Sequence, residues 1–286
     1  MMGACDRGDM SSRVLGADFS GASDAGRSLW VTEARHTADG LVVEDCYRAA
    51  DRWGVDRETA HAGLRSRITE GFVVAGLDFP FSLPRALLDE HCGGTWPGLV
   101  SWVTGESAGV SDRSESTGGD SPEDPDAFAA ACRASARSHT DGASAHLRRE
   151  TDLRRAALCP YDSIVKYQTF YGIGNVLAGL AAESGIAVAP MQSADEGDTR
   201  VVEAYPAATF GWLGLYREGY KGDHRERRAT NVDGIEACSV DLGGYRETYE
   251  EHHDALDSLA AAVSAGRATG ADPPLHGPRA EGHIYV

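Results

Sequence analysis

Continuous apolar runs and stretches of helical spacing follow one another along the chain and divide it into elements. Val14-Leu15-Gly16-Ala17 ends at Asp18 and has the length of a short buried strand (14–19). Small residues from Ser20 to Gly26 make a turn, and 28–34 and 41–46 read as two further strands separated by Ala38-Asp39-Gly40. Over 56–69, Ala60, Leu64 and Ile68 fall at i, i+4, i+8 behind a capping Asp56, which predicts a helix. The unbroken run 72–77 has the form of a central parallel strand, so the opening part of the chain reads βββαβ. Further on, the spacing predicts helices over 127–137, 143–155 and 168–185, strands at 186–189 and 201–203, a helix from Pro206 and an edge strand at 283–286. The strongest helix is predicted over 245–265, with Leu256, Leu259, Ala260 and Val263 on one stripe. Gly105 to Pro125 is rich in Ser, Gly, Asp and Glu without periodicity and reads as a mobile loop inside an inserted region of about 85–165. Residues 1–13 read as a disordered lead-in, and 14–286 as one domain containing the insertion.

Composition narrows the class. The chain has 286 residues, 42% hydrophobic and 25% charged, ordinary values for a globular protein. No apolar run reaches the ~18 residues of a membrane span, and no signal-peptide core is present, so a cytoplasmic protein without a membrane partner is expected. None of the six cysteines forms a CxxC pair, which argues against a structural zinc site and for free thiols. Net charge is −17, and the only lysines are Lys166 and Lys221 against 25 arginines, the pattern of a halophilic proteome. That charge is segregated. Residues 133–155 carry a balance of +3 and 217–228 of +2, leaving −22 elsewhere, a distribution that permits a phosphate-facing side.

The candidate chemistry lies in carboxylates at the tips of apolar elements. Asp18 and Asp78 each end a strand-like run, Glu203 ends 201–203, and Asp254 and Asp257 open the last helix, i and i+3 on one side. A carboxylate there is costly unless a cation or hydrogen bond satisfies it, and a shared metal fits all of them best. Each also has a structural reading. Asp18 caps a Gly/Ser turn, Asp78 is a turn acid, Asp254 complements the helix dipole, and Glu203 pairs with an arginine. Asp257, a turn deeper among apolar residues, is harder to explain as a cap. His252 and His253 beside the pair are surface-helix histidines or proton carriers. Ser20 in the turn, Arg149 and Thr151 with Asp152 in the insertion, and the rare Lys166 and Lys221 are candidate phosphate or substrate contacts; a structural salt bridge is the other reading of the Arg149 group.

Seven short segments resemble a known family in order. They are Leu15-Gly16-Ala17-Asp18-Phe19-Ser20-Gly21-Ala22, Gly76-Leu77-Asp78-Phe79-Pro80-Phe81-Ser82-Leu83-Pro84, Arg149-Glu150-Thr151-Asp152, Val202-Glu203-Ala204-Tyr205-Pro206-Ala207-Ala208, Tyr220-Lys221-Gly222, His253-Asp254-Ala255-Leu256-Asp257-Ser258-Leu259 and Glu281-Gly282-His283-Ile284-Tyr285-Val286. Together they resemble the domain-of-unknown-function 429 family, regarded as predicted nucleases related to RuvC-type resolvases. The resemblance implies an α/β, RNase H-like fold: a central mixed five-stranded sheet flanked by helices, with a largely helical insertion after the fourth strand. It implies two divalent ions, Mg²⁺ or Mn²⁺, held about 3.5–4 Å apart. Asp18 would bridge both, Asp78 would stand beside it, Asp254 and Asp257 would form the final acidic pair, and Glu203 would follow the fifth strand. The implied partner is DNA or RNA, and a homodimer is what a junction resolvase needs. Cys159-Pro160, where Ser-Pro is commoner, and His283, where Trp is commoner, depart from the pattern. Two other readings compete: a catalytically silent binding or assembly protein on the same fold, and an actin-like phosphotransferase, which shares the Asp and Gly/Ser turn but needs a second phosphate loop that is missing.

Overall fold

The structure, a computed structural model, describes residues 12–106, 121–270 and 273–286. Residues 1–11 of the expected lead-in at 1–13 and 107–120 of the expected loop at 105–125 lie outside these residues. The strands are β1 (Arg13–Asp18), β2 (Trp30–Thr37), β3 (Gly40–Arg48), β4 (Val74–Asp78), β5 (Ile186–Val188), β6 (Thr199–Ala204), β7 (Val240–Asp241) and β8 (Ile284–Tyr285). They form one mixed sheet in the order β5-β6-β4-β1-β2-β3-β7, with β8 paired to β6 beyond the end of β5. β1, β2 and β3 are an antiparallel meander, while β4, β5, β6 and β8 run parallel to β1. Among the described residues the sheet thus has eight strands rather than five. β5 and β8 fall within the strands expected at 186–189 and 283–286, while β7, two residues long, is too short to carry a period of two.

Successive side chains of a strand point to opposite faces, and here both faces are covered. Leu15 and Ala17 of β1 and Ala75 and Leu77 of β4 join one apolar core with the helix Arg57–Ile68 and the helices of the inserted region. Val14 of β1 and Val74 of β4 join the other, built against the helix His253–Arg267. Gly16 and Gly76 follow at i+2 on that second face. A Cβ on Gly16 would stand 2.1 Å from Ala262 N and 2.3 Å from Ser258 O; one on Gly76 would stand 2.6 Å from Ala261 O. Only the missing side chains let the helix lie directly on the two strands. At i+4 come Asp18 and Asp78, so both carboxylates face the same helix.

Local structure departs from the sequence reading in three instructive places. The helix predicted over 245–265 is two, Arg246–Glu251 and His253–Arg267, because His252 is extended and stacks on Trp30 with ring centroids 5.0 Å apart. The one predicted over 143–155 shortens to Glu150–Arg155; Thr140 and Ser144 bond nearby backbone groups and offer residues 140–146 an alternative to helix. The one over 168–185 is a relay of Lys166–Tyr171, a π-helical segment Gly172–Leu177 and Ala178–Ala182. The segment between β4 and β5 also holds Arg85–His91, Trp96–Thr104 and Pro125–His139. Among the described residues no helix is long and apolar enough to cross a membrane.

Candidate metal centre

Asp18 and Asp78 are register partners at the C-terminal ends of two parallel strands. The docked helix adds Asp257, one turn into His253–Arg267, and each of the three acids offers an oxygen within 4.8 Å of the others. The helix is held in place by polar pins as well as by the glycine contacts: Ser258 Oγ lies 2.7 Å from Thr32 Oγ1 of β2, and Ser264 Oγ lies 2.7 Å from Thr209 Oγ1. Asp18 is 8% exposed and Asp257 fully buried.

Charge is under strain here. Burial, then the fields of Asp257, Asp78 and Asp254, lifts Asp18 well above the ordinary carboxylate range. Burial and Asp257 lift Asp78, and burial lifts Asp257 despite Lys221. Tyr220 donates its hydroxyl to Asp257 Oδ1 at 2.8 Å. Lys221 Nζ forms an ion pair with the buried Asp257 Oδ2 at 2.7 Å. A buried Arg228 holds the loop that carries both residues. Its guanidinium donates to Tyr220 O at 2.8 Å, Gly222 O at 2.6 Å and Glu250 O at 2.7 Å. A cleft of about 340 Å³ opens beside Asp78 and Asp257, with Tyr205, Arg217, Tyr220 and Lys221 on its wall.

The other candidate residues are placed differently. Glu203 sits on β6 with Oε1 taken by Arg149 at 2.6 Å and Oε2 by Arg149 at 2.7 Å and the Phe81 amide at 3.0 Å. It is therefore not brought to the ligand group. Burial raises its pKa, and Arg149 opposes that. Arg149, fully buried, also grips Asp152, so its guanidinium is closed to substrate; it pins the insertion to the sheet. Thr151 accepts from the Ile284 amide and is buried. Asp254 lies on the rim beside His253, near enough for Asp18 and Asp257 to feel its charge. Lys166 pairs with Asp126. Ser20 accepts from Ser28 Oγ at 2.9 Å and presents its carbonyl to His61. Sequence reasoning missed Tyr220 and Arg228. The Tyr220-Lys221-Gly222 segment drew attention to its lysine alone, and Arg228 is one of many arginines.

A family described as protein of unknown function (DUF429) matches residues 36–279. The chain belongs to the DUF429 family. This DUF429 protein carries two of its three clustered acids, Asp78 and Asp257, inside the matched span, and Asp18 just ahead of it. No curated protein and no solved structure matches the chain.

The donor set fits a hard divalent cation. Three carboxylates supply oxygen only, the preference of Mg²⁺ and Mn²⁺. Their mutual repulsion is what a cation would relieve.

Proposed function

We propose that this DUF429 protein is a metal-dependent hydrolase of phosphodiester bonds in nucleic acid, built on an RNase H-like fold. The convergence of Asp18, Asp78 and Asp257, three buried or half-buried carboxylates raised by one another's charge, carries the reading. The antiparallel meander followed by parallel strands, with a helix returning an acid to β1 and β4, supports the fold relationship. Asp18, Asp78 and Asp257 would hold Mg²⁺ or Mn²⁺; for the second of the two ions expected, Asp254 on the rim is the acid best placed to contribute. Such an ion lowers the pKa of an attacking water and stabilises developing charge on a phosphoryl oxygen. The chain's own groups do the rest. Tyr220 fixes the Asp257 carboxylate through its hydroxyl. Lys221, 57% exposed, and Arg217 on the same cleft wall present cationic groups to an incoming phosphodiester. Cleavage of a panel of single-stranded, duplex and branched DNA and RNA with Mn²⁺ tests this. Activity lost in Asp18→Asn and Asp257→Asn and in chelator supports the reading; cleavage indifferent to chelator sinks it.

One observation favours the silent alternative. Lys221 already places an ammonium beside Asp257, which partly offsets the acidic cluster without any metal. In that reading Lys221→Met weakens the fold and Mn²⁺ leaves thermal stability unchanged; in ours, Mn²⁺ stabilises both the parent and the Lys221→Met protein.

A further inference from the structure

The inserted region assembles a second set of ligand atoms, chemically unlike the first. His146, Cys159 and Asp162 bring a ring nitrogen, a sulfur and a carboxylate oxygen within 4.8 Å of one another. The surrounding backbone is organised to do so. The Asp162 amide donates to Cys159 O at 3.0 Å, closing a tight turn, and Asp162 Oδ1 accepts from the Ile164 amide at 3.1 Å. The Leu147 amide donates to the Tyr161 hydroxyl at 2.6 Å, which ties the strand-like segment bearing His146 to that turn. Ser144 clamps the His146 backbone from the other side, donating to its carbonyl at 2.9 Å and accepting from its amide at 3.0 Å. Cys159 is 2% exposed and His146 is exposed, so the group lies just under the surface with one accessible arm.

We propose that His146, Cys159 and Asp162 form a binding site for a borderline divalent ion of the Zn²⁺ class, separate from the oxygen-only cluster. Thiolate and imidazole select such an ion, whereas Mg²⁺ and Mn²⁺ prefer oxygen donors. Three protein ligands leave the fourth tetrahedral position to water. Binding converts the Cys159 thiol to a metal thiolate and releases its proton to solvent. Burial, and then Asp162, push that thiol up to about 11, so the released proton is present at neutral pH and a cation answers both effects. The ion would close the loop from 146 to 162, which contains Arg149 and hence the grip on Glu203. The H-x12-C-x2-D spacing matches no standard zinc pattern, and the absence of a CxxC pair hid it.

Co²⁺ titration of the full chain tests the site. We expect a near-ultraviolet sulfur-to-cobalt band with the visible bands of a tetrahedral ion, retained in Asp18→Asn. The sulfur band disappears in Cys159→Ser, and affinity falls at least ~tenfold in His146→Ala. Because His146 is exposed, His146→Ala keeps the metal-free Tm of the parent. Zn²⁺ at a hundred times the parent's Kd raises the parent Tm by about 5 °C and moves His146→Ala by no more than about half as much. Cobalt spectra without a sulfur band, or a Zn²⁺ shift undiminished in His146→Ala, overturn the assignment.

Discussion

Replacing Arg149 by Met separates a structural pin from a substrate contact. The guanidinium is fully buried and satisfies Asp152 and Glu203 together, donating to Glu203 at 2.6 and 2.7 Å and to Asp152 at 2.6 Å. Met fills similar space but leaves two buried carboxylates without their cation. Each keeps one backbone donor, the Arg149 amide for Asp152 and the Phe81 amide for Glu203, which softens the loss. Removing one partner of a buried pair costs about 3–5 kcal/mol; we expect about 4 kcal/mol, a fall in Tm of about 8–10 °C for a chain of this size. The loss depends on pH. Without Arg149 the folded-state pKa of Glu203 rises further above its unfolded value. A group raised in this way contributes most below the unfolded pKa and loses that contribution as pH rises through the folded one. The gap between Arg149→Met and the parent therefore closes as pH falls toward the unfolded carboxylate value of about 4.3 and widens as pH rises above it. Adding Glu203→Gln to Arg149→Met recovers part of the loss at neutral pH. Urea denaturation followed by circular dichroism at pH 5 and 7 reads all of this. An Arg149→Met protein with the parent's stability but without its activity would refute the argument and return Arg149 to the substrate.

Three other outcomes are expected. Asp18→Asn removes one of three repelling acids, so its Tm in chelator equals or exceeds the parent's, while Mn²⁺ at a hundred times the parent's Kd no longer adds its ~2.7 kcal/mol; a variant that unfolds in chelator would show that Asp18 is a structural acceptor. His61, 1% exposed, donates from Nε2 to Ser20 O and is held neutral, burial bringing it down to about 4; the unfolded state takes up the proton first, so stability falls by up to about 3 kcal/mol between pH 6.5 and 4, and an imidazole seen by NMR to titrate near pH 6.5 would refute this. Gly16→Ala forces a Cβ to within 2.1 Å of the Ala262 amide nitrogen, costs more than about 3 kcal/mol and abolishes Mn²⁺ binding seen by calorimetry; binding at parental affinity would mean that the helix does not seat as described.

Much of the site's skeleton was legible because strand chemistry is local. A period of two carries Val14, Gly16 and Asp18, and likewise Val74, Gly76 and Asp78, onto one face, and unbroken apolar runs mark both strands as central. That Asp257 rather than Asp254 joins them was legible only in part, from its place a turn deeper among apolar residues. His252 breaks the predicted long helix and resets which turn faces the sheet, and the cause is a stacking partner, Trp30, distant in sequence. Glu203 looked equivalent to the other acids because a strand-end carboxylate has the same signature whether a cation or an arginine answers it. Deciding between them required the fold to bring residues 149 and 203 together. Two-residue β7 has no signature of its own and exists only because β3 offers it an edge, whereas β8 lies within the edge strand expected at 283–286.

The order in which the three acids are made has a consequence for the living cell. Asp18 and Asp78 emerge early during synthesis; Asp257 comes off the ribosome among the last elements described. A nascent or prematurely terminated chain therefore has no third carboxylate to complete the cluster. Under the proposed activity on nucleic acid, beside messenger and ribosomal RNA, this layout would keep the product inert until translation is nearly done.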